Sequence, residues 1–159
     1  MKNEIAKLRA QRRALEQELI AIATEATQVA IEAASDATPP VMDDLRGTKT
    51  RSGGLKEHWA TDSSTAPTKR GRTLVTVLAN AKEYASYVND GHRMDRHFVP
   101  GLFINPYSGL LEYKTDYPGG IMVGTKTSYV PGVFMAEKGE EAYADYLETA
   151  IDRLAEVLK

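Results

Sequence analysis

The sequence predicts an α+β fold: a long N-terminal helix, a small antiparallel sheet with a protruding β-hairpin, and a C-terminal amphipathic helix packed on the sheet. Three observations predict it. Apolar residues recur at helical spacing at both ends of the chain, one β-branched run (Arg72–Leu78) lies between them, and two Pro-Gly corners bracket further extended segments. The 159 residues, 42% hydrophobic and 26% charged, fit one globular domain of ordinary size. We expect a helical arm over residues 1–38 and a single α+β domain over 39–159, with the hairpin at about 104–128 and the last helix at about 135–158.

Asn3–Ala34 reads as one helix. Ile5, Leu8, Leu15, Leu19, Ile22, Ala26, Val29 and Ala33 follow mostly alternating steps of three and four, with Arg12 filling the missing place in that seam. The stretch Ser35–Pro40 ends it, because proline cannot continue the hydrogen-bond ladder. Such a helix is roughly 48 Å long, more than the width of a domain this size. Either part of it projects toward another chain, or it folds back on its own sheet.

Val41–Lys69 is polar and glycine-containing, with a short helix expected at Leu55–Ala60 that buries Leu55 and Trp59 at an i, i+4 spacing. Arg72–Leu78 is the best strand in the chain, and Lys82–Val88 reads as a short helix stopped by Asn89-Asp90-Gly91. An internal echo follows: Phe98-Val99-Pro100-Gly101-Leu102-Phe103 returns as Tyr129-Val130-Pro131-Gly132-Val133-Phe134. Between the copies, Leu110–Thr115 and Ile121–Thr127 read as strands joined through Tyr117-Pro118-Gly119-Gly120, a hairpin bracketed by two similar corners. Met135–Leu158 is amphipathic, with an apolar stripe of Tyr143, Leu147, Ala150, Ile151, Leu154 and Leu158.

Composition excludes several classes of function. With no cysteine there is no disulfide, thiolate metal site or thiol nucleophile. No apolar run approaches the roughly 20 residues that span a bilayer, and the N-terminus lacks the uninterrupted apolar core of a signal peptide, so we expect a soluble, cytoplasmically made protein. Net charge is −2 but unevenly placed: Arg46–Arg72 has seven basic residues against two acidic, and Val133–Lys159 has three basic against seven acidic. That asymmetry suits either two solvated faces or the attraction of one subunit's basic loop to a neighbour's acidic helix.

No catalytic, cofactor-binding or metal-binding set stands out. Asp90-Gly91-His92-Arg93-Met94-Asp95-Arg96-His97 holds four potential ligands, but the spacing fits no structural zinc pattern and two arginines repel a cation. Gly-Thr-Lys-Thr at 47–50 and 124–127 lacks the upstream glycine of a phosphate-binding loop, and no Gly-x-Ser-x-Gly elbow is present. Lys69-Arg70-Gly71-Arg72 is compatible with non-specific nucleic-acid contact through a basic 46–72 segment.

From residue 45 onward the order of signals resembles the tail-completion, or head–tail joining, family of tailed bacteriophages, also described as minor capsid or neck proteins. The matching residues are Ser52-Gly53-Gly54-Leu55 with Trp59, then Leu74–Asn80, Tyr84-Ala85-Ser86-Tyr87-Val88, Gly91-His92-Arg93, Phe98-Val99-Pro100-Gly101, and Tyr129-Val130-Pro131-Gly132-Val133-Phe134-Met135. Asn89 stands where those proteins usually have glutamate, and Gly53-Gly54 adds a glycine to the leucine motif.

The resemblance implies a structural virion protein without enzymatic activity or cofactor. It would be a ring subunit, commonly in sixfold rings, between the head connector and the tail tube. Its partners would be copies of itself, connector or stopper proteins, tail tube or tail terminator proteins, and genomic DNA passing through the lumen, with no membrane. A tail terminator or other neck component of similar fold is the nearest alternative. Residues expected at assembly interfaces are Leu8, Leu15, Leu19, Arg46, Lys49, Arg51, His92, Arg93, Arg96 and Tyr117.

Overall fold

A computed structural model of the chain describes residues 2–39, 53–124 and 129–157. The elements run α1 (Lys2–Ala37), α2 (Gly54–Asp62), β1 (Ser64–Arg70), β2 (Thr73–Val77), α3 (Ala85–Asp90), β3 (Gly91–Arg93), β4 (His97–Pro100), β5 (Leu102–Ile104), β6 (Leu111–Tyr113), β7 (Gly120–Val123), β8 (Tyr129–Pro131) and α4 (Met135–Val157). The class is α+β, with long helices at both ends and small antiparallel ladders between them.

Alanine, leucine, glutamate and glutamine, all good helix formers, sustain α1 over 36 residues, roughly 54 Å. The helix runs three residues beyond the expected end at Ala34. It stops at Thr38, the residue that Pro39 pushes out of helical conformation. There the Thr38 hydroxyl donates back to the Ala34 carbonyl at 2.8 Å.

α4 runs antiparallel along α1. Thr38 lies against Met135, Ala30 and Ala34 against Gly139, Glu25 against Tyr146, and Glu18 against Arg153. Small residues allow the close approach: a Cβ at Gly139 would sit 2.9 Å from the Ala30 carbonyl oxygen and 2.7 Å from the Leu78 side chain. Ala26, Ala30 and Ala34 are buried in this seam, whereas residues 3–10 are exposed. Ile151, expected in the apolar stripe of α4, is 61% exposed, and Met135, Gly139 and Ala150 are the buried positions of that helix. Leu158 lies outside the described residues.

The core gathers Ala34, Leu55, Trp59, Ala85 and Met135, flanked by Ile31, Leu78, Val88 and Val133. α2 delivers Leu55 and Trp59 to it, as their spacing predicts. The short helix after β2 begins at Ala85 instead of Lys82, because Lys82 closes a turn by accepting the Ala85 N–H at 2.8 Å.

The strands form four separate two-stranded ladders where the sequence predicted one small sheet. β1 was not expected as a strand. It pairs antiparallel with β2, and its register slips between Ser64 and Thr68, around Pro67, which has no N–H to donate. Thr27 on α1 and Thr76 on β2 share a 2.7 Å hydroxyl bond that seats this hairpin on α1.

The expected hairpin at 104–128 is corrected in both extent and pairing. Its two strands do not pair with each other: β6 pairs back with β5, and β7 with β4. Outside them, β3 pairs with β8. The three ladders nest into one long hairpin from Gly91 to Pro131, turning at Asn105–Leu110. Tyr117-Pro118-Gly119 lies in an excursion of the returning arm that ends where Gly120 opens β7, and residues 125–127 of the expected strand lie outside the described residues.

One polar clamp fastens the end of α4. Arg153 places Nη2 2.6 Å from Glu18 and Nη1 2.5 Å from Glu25, while the Tyr146 hydroxyl also donates to Glu25. The Arg153 and Tyr146 hydrogen bonds hold the Glu25 carboxyl below its ordinary pKa, and the same carboxylate pushes Tyr146 up. A depressed carboxyl stabilises the fold above its unfolded pKa of about 4.3, and that contribution is lost as pH falls through the folded value. The melting temperature should therefore drop as pH is lowered from about 5 to about 3. Arg153→Gln should flatten part of that drop. Glu16, lowered by Lys69, and Asp62, lowered by the Ala81 N–H, act in the same direction. An acid limb identical in wild type and Arg153→Gln would remove the clamp from the account.

Candidate assembly surfaces

The residues of the Tyr-Ala-x-Tyr-Val…Gly-His-Arg stretch and of the second Pro-Gly corner meet at the base of the long hairpin. Gly91 pairs with Pro131 and Arg93 with Tyr129. The approach is close enough to demand glycine: at Gly91 (φ 79°) a Cβ would lie 2.5 Å from the Val130 carbonyl oxygen. At Gly132 it would lie 2.3 Å from that of Asn89. The His92 ring meets Tyr87 edge-on at 5.8 Å. Beside this joint lies a cavity of about 320 Å³ lined by Leu55, Tyr84, Tyr87, His92, Val130 and Val133.

Asn89 ties the joint to α4. Its Oδ1 accepts the Ala136 N–H at 2.9 Å, satisfying one of the unpaired donors at the helix N-terminus, and its Nδ2 donates to Glu137 at 3.0 Å. A glutamate at this position would accept from the first and repel the second, so the asparagine suits its surroundings.

From this base the hairpin extends roughly 40 Å at ordinary strand rise. Leu102, Ile104, Leu111 and Tyr113 share one face of its outer part, since alternate residues point the same way and Leu102↔Tyr113 and Ile104↔Leu111 are opposed. Ile104, Leu111 and Tyr113 are exposed there, and Tyr107 at the turn is 98% exposed. On the other face Phe103 stacks on Tyr117 at 4.8 Å, and Asn105 Nδ2 donates to Glu112 at 2.7 Å. A lone two-stranded ribbon is marginally stable in water, and contiguous exposed apolar side chains of this kind mark a contact surface.

Among the described residues no group of three or more His, Cys, Asp or Glu side chains is placed to hold a metal ion. In the Asp90–His97 stretch, His97 Nδ1 lies 2.7 Å from the Asp95 carbonyl and His92 Nδ1 3.3 Å from that of Tyr87, so both rings face backbone. No helix among the described residues is long and apolar enough to cross a membrane. No protein-family model, curated protein or solved structure matches the chain.

The residues expected at interfaces fall on three separate regions. Leu8, 65% exposed, and Leu15 and Leu19 lie along the first half of α1. His92 and Arg93 sit at the hairpin base, and Arg96 just beyond it is exposed. Tyr117 belongs to the hairpin's excursion. Arg46, Lys49 and Arg51 lie outside the described residues. Tyr84 and Tyr87 were quoted from the sequence as motif residues but not as interface residues, and the apolar outer hairpin face was not singled out. The alternating Ile104, Leu111 and Tyr113 were the available signal for it.

Proposed function

We propose that this chain is a structural joining protein of a tailed bacteriophage, a non-enzymatic subunit of a ring between the head connector and the tail tube. The observation that carries this reading is a small helical core bearing two projections, the exposed start of α1 (residues 3–10) and the long hairpin with its apolar outer face. Exposed apolar projections of this kind mark contact surfaces, and repeated heterologous contacts closing into a ring would use them. The resemblance supports the same reading, because two of its motif stretches, Tyr84–Arg93 and Tyr129–Met135, meet at the joint that aims the hairpin. In this proposal the partners are copies of the chain, the connector or stopper ring and the tail tube or terminator, with DNA passing through the lumen. The chain is then a virion component made in the host cytoplasm.

Imaging of intact particle necks tests it. The chain's density should form a closed ring at the head–tail junction, above the tail tube. A ring at the tube's own upper end would make it a tail terminator, and absence of the chain from purified particles would overturn the proposal.

A further inference from the structure

Between α1 and the β1–β2 hairpin runs a groove of about 580 Å³, away from the hairpin joint. Its floor is apolar, built by Leu19, Ile20, Pro67 and Leu74. Its rim is cationic, with Arg12, Lys69 and Arg72. Glu16 offsets only part of that charge, since it lies 2.8 Å from Lys69 and 3.8 Å from Arg12. Arg72 on the rim forms no ion pair among the described residues.

α4 presents the converse surface. Glu141, Asp145, Glu148, Asp152 and Glu156 follow one another at steps of three and four, so they share one exposed face of the helix. Like charges at these spacings repel, and no described cation pairs with any of the five. Arg153, the one arginine of the helix, is turned inward to Glu18 and Glu25. Ile151 stands exposed next to Asp152.

We propose that the groove receives the acidic face of α4 from a second copy of this chain. The carboxylates would answer the arginine rim and Ile151 would cover the apolar floor. Two features favour a second copy over a nucleic acid duplex. The complementary charge row is carried by the same chain, and an apolar floor offers nothing to a phosphate backbone. Donor and acceptor surfaces differ, so repeated head-to-tail the contact forms a ring where its rotation closes. The inference names the self-contact of the ring proposed above and rests on that reading for the ring alone; the contact itself does not need the phage context.

Sedimentation of the full chain at low and high salt tests it, with duplex DNA of random sequence as a separate probe. Wild type should self-associate with rising concentration and less so at high salt. Arg12→Glu with Arg72→Glu should weaken association at least about tenfold, and so should Glu148→Arg with Asp152→Arg. All four positions are exposed, and unchanged thermal melts would show that the fold is kept. A chain with all four reversals should associate again. A wild type that stays monomeric, single-side reversals without effect, or a four-fold variant that fails to recover would each overturn the inference. Loss of DNA binding with self-association intact would assign the groove to nucleic acid instead. A chain that associates in this way but is missing from particle necks would sink the functional reading and leave this contact standing.

Discussion

Trp59→Ala should destabilise the fold by about 3–5 kcal/mol, the largest single-residue effect we expect in this chain. The side chain is 4% exposed and packs with Ala34, Leu55, Ala85 and Met135. Its loss would empty the place where the end of α1, the middle of α2 and the start of α4 meet. The indole N–H also donates to the Thr38 hydroxyl oxygen at 2.9 Å, and that hydroxyl donates onward to the Ala34 carbonyl. Met135 Sδ lies 3.2 Å from the same oxygen. Trp59→Phe separates the two contributions: it keeps most of the apolar contact and removes only the donor, so it should cost roughly 1–3 kcal/mol. Denaturant unfolding followed by circular dichroism measures both. A midpoint unchanged in Trp59→Ala would mean that the core is not organised around this residue.

The elements that could be read from sequence alone are those whose signal is local. A 3.6-residue period gave the two long helices, an i, i+4 pair gave α2, and a β-branched run gave β2. The misses are misses of pairing, between neighbouring segments as well as distant ones. β1 contains Pro67 and three hydroxyl-bearing or small residues before it, so only its pairing with β2 and its seat on α1 make it a strand. In the hairpin, extended segments were legible but their pairing was not. Tyr117-Pro118-Gly119-Gly120 and Asn105-Pro106-Tyr107-Ser108-Gly109 both have turn chemistry, and composition does not say which one reverses the chain. Ile151 fits the apolar period of α4 by spacing, yet α1 meets that helix along Gly139, Tyr146, Ala150 and Arg153.

The candidate surfaces were legible to a similar degree. The charge imbalance along the chain was visible in the sequence, and so was the narrow seam of α1 with Leu8 and Leu19. The groove was not, because it exists only when β1 and β2 fold against α1 and bring Lys69 and Arg72 beside Arg12. The clamp at Arg153 was equally hidden, since its partners Glu18 and Glu25 lie more than a hundred positions away.

Removing Met1–Leu19 should leave a folded subunit that no longer assembles. Burial along α1 begins at Ile22, so the deleted segment contributes no residue to the core. It does contribute Glu18, one of two carboxylates on Arg153, and Glu16, which pairs with Lys69, but Glu25 and Tyr146 remain to hold α4. The exposed Glu16–Lys69 pair adds little to stability and Glu25 keeps Arg153 paired, so unfolding should stay cooperative and the melting temperature should fall by no more than about 5 °C. Assembly should respond quite differently. The deletion removes Leu8, whose exposure the subunit's own fold leaves unanswered, and takes Arg12 and Leu19 from the groove that we assign to a second copy. Sedimentation should then show monomers at concentrations where the full chain associates, the same defect expected of the arginine reversals. A truncated chain that melts without cooperativity would place the first half of α1 in the core. One that still associates and joins heads to tails would show that this half of the helix is dispensable, and the assembly role given to it would be wrong.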